Sequence, residues 1–517
     1  PGRVVVRTTT PAERPRVPPV MLPQSFLSLL GRLRPVFTAP SFANFVVLIA
    51  GFVHALGGHR ITDALRAAGP AASKHYTTYY RFFSHARWDQ DALGFALVEL
   101  MVELLGLEQV ELVLDDTLAH RTGKKVALAS MHADPLLKKK SRGRLFVSYG
   151  HVFVVLAVHV KVPGLAKTGW ALPVMFRLFE GPSQGGTDDA PSDRRRESER
   201  RKQGKAQRNR VRKTDREVVG GEVRRCAPKP CSGPLPDAVR PKKTDLGAEM
   251  LIAIAKRFPQ LTFRVSADHL YNGRSVLHAV ISEVDNVHIV TRGRPDAALF
   301  DMPPPRKKGT MGRPRVKGQR LLAPQAWGEA HPEAFRSITL SMYGRDVTVE
   351  VASYLGMAYR SLPGRLLRYV IVRDPAGIYR TDYILCTDTG LDLSTVLETY
   401  SHRWPIERTF QDAKQHLRVE NPRTQLPTSV RRSTPFGMRL YSLVVLWYVT
   451  AGHEEAARLA PRLADPWYQR DARPSFVEML ATLRRISWAE RLLDPPSGER
   501  PEPEVWADYL ARVVAAA

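Results

Sequence analysis

The order of apolar runs between residues 107 and 292 constrains this chain more than any other feature. Three runs come first, QVELVLDDTLA, HVFVVLAVHVKV and WALPVMFRLFEG, each of strand length and rich in β-branched and large apolar residues. Three strands in succession suggest an antiparallel meander. The texture then alternates: DLGAEMLIAIAKRF is helix-like, LTFRVSAD a strand, GRSVLHAVISEV helix-like and NVHIVTRG a strand. The expected class is α/β with a mixed sheet.

On either side the pattern is helical. SFANFVVLIAGFVHAL, HRITDALRAAG, KHYTTYYRFFSH and DALGFALVELMVELLG precede the strands, and LYSLVVLWYVTAG and PSFVEMLATLRRISWAERLL follow. HRITDALRAAG and SKHYTTYYRFFSH could pair as a helix-turn-helix that offers Lys74, His75, Tyr79 and Arg81 to DNA, or be plain bundle helices. The expected organisation is a flexible leader at 1–22, a helical N-terminal DNA-binding domain at 23–107 and a first core segment at 108–300. A β-rich insertion at 301–389, a second core segment at 390–433 and a helical C-terminal region at 434–517 complete it.

Charge narrows the partners. Lys and Arg total 77 against 51 Asp and Glu, a net +26, and such an excess favours polyanions through counterion release. Nucleic acid is the first expectation and an anionic membrane surface the second. No apolar run reaches the roughly 20 residues a bilayer requires, and a glycosidase is disfavoured by the charge. The three cysteines, Cys226, Cys231 and Cys386, form no CxxC pair, so a reducing cytoplasm fits best. A stretch at 184–242, with an Arg and Lys cluster from Arg194 to Lys213, is almost devoid of large apolar residues and cannot bury a core. A second basic run at 306–320 contains GRPR, and its Arg313 and Arg315 are candidates for DNA contact. RGRP at 292–295 reads first as a strand exit.

Within LETYSHRWPIERTFQDAKQHL, Tyr400, Arg403, Glu407 and Lys414 stand at offsets that, on a continuous helix at roughly 100° per residue, share an arc of about 60°. One carboxylate beside two cations and a phenol suits a phosphodiester held near a metal. Pro405 is discordant, because a helix that restarts there moves Tyr400 and Arg403 off the stripe. Trp404 is expected to pack against the sheet.

The spacing Y-x2-R-x3-E-x6-K resembles the signature of DDE transposases of bacterial cut-and-paste insertion sequences, whose core is RNase H-like. That family carries two aspartates at strand ends before the glutamate, and VELVLDDTLAH and FRVSADHLYNGRSV occur in the matching order. Strand alternation lets only one of Asp115 and Asp116 face the site; the family pattern of Asp followed by Thr selects Asp116, with Thr117. The resemblance implies catalysis and metal binding by Asp116, Asp268 and Glu407, with two Mg²⁺ ions that Mn²⁺ can replace. Tyr400, Arg403 and Lys414 would bind DNA, and Trp327 would stack on a base flipped out during hairpin formation. It further implies double-stranded DNA partners (transposon ends and target), a homodimer in a synaptic complex, and a bacterial cytoplasmic, nucleoid-associated setting. Another nuclease on the same core, or a catalytically silent DNA-binding regulator, would share part of these features.

Overall fold

The computed structural model of the chain describes residues 21–58, 60–123, 126–134, 147–180, 241–306, 311–377, 380–459 and 473–493. Most of the expected leader and of the basic insertion, and both Cys226 and Cys231, lie outside them.

The N-terminal helices are α1 (Gln24–Gly31), α2 (Ala39–His54), α3 (Ile61–Ala68), α4 (Tyr76–Ser84) and α5 (Gln90–Leu105). Asp89 caps α5 by accepting from the Ala92 N–H at 2.7 Å, and Gly106 ends it with φ of 60°, a left-handed position that costs glycine little. Leu22, within the expected leader, is buried. The rings of Phe45, Phe82 and Phe83 pack against Phe436 of a C-terminal helix, so these helices share one core with the rest.

The expected strands are present as β1 (Gln109–His120), β3 (Val147–Val160) and β4 (Trp170–Phe179), with a short β2 (Ser130–Ala133) that the sequence did not suggest. β3 is buried on both faces from Gly150 to Val160, which explains its unbroken apolar run. After it come α6 (Lys243–Arg257), β5 (Thr262–Ala267), α7 (Arg274–Glu283) and β6 (Val287–Arg292). β1 pairs antiparallel with β3 and parallel with β5, β5 pairs parallel with β6, and β4 flanks β3. The order β4-β3-β1-β5-β6 makes this a mixed, RNase H-like sheet.

After α8 (Pro324–Ala330), β7 (Arg336–Met342), β8 (Arg345–Gly356), β9 (Leu367–Arg373) and β10 (Asp382–Cys386) form an antiparallel run. These strands do not stand apart: β10 pairs with β6 and the sheet continues to β7. Tyr343 and Gly344 join β7 to β8 with φ of 52° and 78°, the two consecutive positive values of a tight hairpin. Arg292 ends β6 and ion-pairs with Asp382, so the first basic match is a strand exit.

The chain closes with α9 (Leu393–Ser401), α10 (Pro405–Gln415), α11 (Pro427–Trp447), a π turn at Tyr448–Gly452, α12 (His453–Leu459) and α13 (Phe476–Leu493). No described helix is long and apolar enough to cross a membrane.

Candidate active site

Parallel strands keep the side chains of paired residues on the same face, and β1 meets β5 through Leu114 opposite Ala267. The next residue on each chain is an acid, Asp115 on β1 and Asp268 immediately after β5. Asp116, one further along, points to the other face, where Lys243 at the start of α6 donates to its Oδ2 at 2.7 Å.

Glu407 reaches the Asp115 side through Arg403. The guanidinium Nη1 donates to Asp115 Oδ2 at 3.0 Å and Nη2 to Glu407 Oε1 at 3.2 Å. One planar fork therefore holds a strand carboxylate and a helix carboxylate together. The geometry thus groups Asp115, rather than the Asp116 that the Asp-Thr pattern selects, with Asp268 and Glu407. Alternation told us that only one aspartate could face inward; which one depends on a register set by β5.

Burial, reinforced by the neighbouring charges of Asp116 and Asp268, pushes the Asp115 carboxyl up to about 7 despite Arg403. Tyr271, buried below, feels the same three aspartates, and its phenol is driven above its ordinary range by burial first and by them second. Burial thus disfavours the charged form of Asp115, a condition that a bound cation relieves.

The four-residue stripe is not a single helix. Pro405 takes the first position of α10, where its missing N–H costs nothing, so Tyr400 lies on α9, Arg403 in the turn, and Glu407 and Lys414 on α10. Arg403 still reaches the acids because the turn folds it back. Lys414 turns inward: its Nζ donates to the Leu118 carbonyl at 2.6 Å and lies 3.7 Å from Glu420, and burial lowers its pKa. Tyr400 is buried among Val290, Val351 and Leu397, and it lines a cleft of about 120 Å³ with Tyr343, Asp382 and Ile384.

Trp404 is 54% exposed instead of packed on the sheet, and meets Tyr343 edge to face at 6.0 Å. As the residue before Pro405 it sits on the outer side of the turn. Trp327 lies on α8 with one ring face stacked on Tyr354 at 4.5 Å, while the aromatic that lines the cleft with Tyr400 is the exposed Tyr343. Tyr343 was missed because only its place in a tight turn brings it there. Arg313 and Arg315 are exposed on an irregular segment. In α4, Tyr79 is buried and cannot face DNA; His75, Tyr76, Thr77, Tyr80 and Arg81 are exposed, as is Lys74, which donates to Asn44 at 2.7 Å.

Residues 32–347 match the sequence model that describes the DDE superfamily endonucleases. The chain belongs to the DDE superfamily of endonucleases. The match includes Asp115, Asp116 and Asp268 and ends before Glu407, whose assignment rests on the Arg403 bridge. No curated protein matches this endonuclease.

Proposed function

We propose that this endonuclease is a transposase that binds terminal inverted repeats, cleaves at their ends and transfers the freed strand to a target. Asp115, Asp268 and Glu407 are its catalytic carboxylates, and the observation that carries this is the Arg403 fork joining Asp115 to Glu407 beside Asp268. The acid cluster fits hard divalent ions, Mg²⁺ or Mn²⁺, because it offers only oxygen donors and excess negative charge. Such ions, when bound, supply charge stabilisation to the entering and leaving oxygens of the phosphodiester.

The protein's own groups have separate tasks. Arg403 holds Glu407 against Asp115 in the resting protein and has spare donors for a phosphate. Tyr400 and Tyr343 line the adjoining cleft, with Trp404 against the Tyr343 ring, and a strand end is positioned there. Lys414 fixes α10 to the end of β1, a positioning role, and Asp116 ties the opposite face to Lys243. Arg313 and Arg315 extend the basic surface for DNA backbone contact. Two chains bring two transposon ends together in a synaptic complex, and the second-strand step proceeds through a hairpin.

The test is cleavage of a labelled duplex carrying the inverted repeats that flank the gene, with Mg²⁺, by wild type and Glu407→Gln. Cutting at the repeat boundary that is lost in the variant supports the proposal. Repeat binding without cutting by either protein would instead make it a silent regulator.

A further inference from the structure

On β1, four residues before Asp115, Glu111 shares its carboxylate with two imidazoles. Its Oε2 lies 3.0 Å from His159 Nδ1 and 2.6 Å from His402 Nδ1. His159 is on β3, with only 2% of its side chain exposed, and His402 is in the turn just before Arg403. Among the described residues this is the one group of three with metal-ligating atoms so close, all within 4.8 Å.

Proton counting shows that the cluster is incomplete. His159 Nε2 faces the Thr168 carbonyl at 2.8 Å, and its Nδ1 faces the Glu111 carboxylate. Both partners are acceptors, so a neutral imidazole can satisfy only one of them. With Nε2–H on the carbonyl, the Nδ1 lone pair is left aimed at an anion, an arrangement that a cation between them completes.

The setting is that of a metal ligand. Histidines that bind metals commonly donate the second ring N–H to a backbone carbonyl, which fixes the tautomer. The carbonyl's approach is secured by Gly169, at φ of 75°, where a Cβ would come within 2.6 Å of His159 Nε2. We propose that Glu111, His159 and His402 bind one divalent transition metal of the Zn²⁺ type. Two nitrogens and one carboxylate oxygen, with a fourth position for water, form a donor set suited to Zn²⁺.

One movement is required. The imidazoles now stack at 4.1 Å with planes 14° apart, and a metal must lie near the plane of each ring. His402, at a helix end, turns out of the stack on binding. The site is separate from the carboxylate cluster: Glu111 and Asp115 are about 13 Å apart along the strand. Its effect is to staple the α9–α10 turn to β1 and β3, one residue from the Arg403 that joins Asp115 to Glu407.

The test uses the full chain carrying Asp115→Asn, Asp268→Asn and Glu407→Gln, so that the nuclease carboxylates contribute no binding. Dialysis against Co²⁺ should leave one ion per chain with the intense visible absorption of four-coordinate cobalt, displaced by Zn²⁺. Adding His402→Ala, or separately the isosteric Glu111→Gln, should weaken Co²⁺ affinity at least tenfold, and His402→Cys should restore it. No Co²⁺ or Zn²⁺ binding by the parent at micromolar concentration, or binding within twofold of the parent by either weakened variant, overturns the proposal. Neither result bears on cleavage, so the nuclease reading stands or falls apart from it.

Discussion

Asp115→Asn should make the metal-free protein more stable while abolishing cleavage. Folding raises the Asp115 pKa from 3.8 to about 7. Below about pH 4 the group is protonated in both folded and unfolded states and costs nothing. As pH rises toward 7 the unfolded chain releases the proton and the folded one retains it, so stability falls through that window and levels off above it. A gap from 3.8 to about 7 corresponds to about 4 kcal/mol at full ionisation. Water reaching the 18%-exposed side chain and the loss of one Arg403 hydrogen bond reduce the expected gain to about 2 kcal/mol. Urea unfolding in EDTA at pH 5 and 7.5 measures it: the variant should exceed wild type at 7.5, with a smaller difference at 5. Added Mg²⁺ should stabilise wild type and leave the variant unchanged. A variant less stable than wild type at pH 7.5, or a difference independent of pH, refutes the electrostatic reasoning.

Other substitutions separate the roles of neighbouring groups. Asp116→Asn removes a part-exposed pair with Lys243 and should change stability by no more than about 1 kcal/mol in the same unfolding assay. Arg403→Gln should lower single-turnover cleavage at least ~10-fold and cost about 1–3 kcal/mol in urea, because it releases Glu407 from Asp115 and leaves the part-buried Asp115 without its cation. Lys414→Met leaves the Leu118 carbonyl without its side-chain donor and should cost about 1–3 kcal/mol in urea. Trp404→Ala, at an exposed site, should stay within about 0.5 kcal/mol of wild type yet weaken binding of a cleaved repeat end, read by fluorescence anisotropy.

What the sequence revealed and what it concealed have physical reasons. The strands around Asp115 and Asp268 were legible because a sheet buried on both faces writes itself as unbroken apolar runs, as in β3. The spacing places Glu407 and Arg403 in one stretch, yet their geometry differs from that of one helix, since Pro405 restarts it and the turn returns Arg403 to the acids. Asp115 against Asp116 could not be decided locally: the register of β1 with β5 is a pairing across some 150 residues of chain. The continuity of β6 with β10 is hidden for the same reason, as backbone pairing leaves little mark on side-chain pattern. Whether Tyr79 faces DNA or the bundle was open in the sequence, and α4 buries it with Phe82 and Phe83 while turning Tyr76 and Tyr80 outward. The histidine cluster escaped notice because Glu111, His159 and His402 come from three distant elements.

The most direct measurement is single-turnover cleavage of the inverted-repeat duplex in Mg²⁺ and in Mn²⁺, with Asp115→Asn and Asp116→Asn tested side by side. Removing a catalytic carboxylate should cost at least ~10²-fold, whereas Asp116→Asn, which faces away from Glu407, should keep most of the rate. Full cleavage by Asp115→Asn with loss in Asp116→Asn would contradict the site built on Asp115, Asp268 and Glu407.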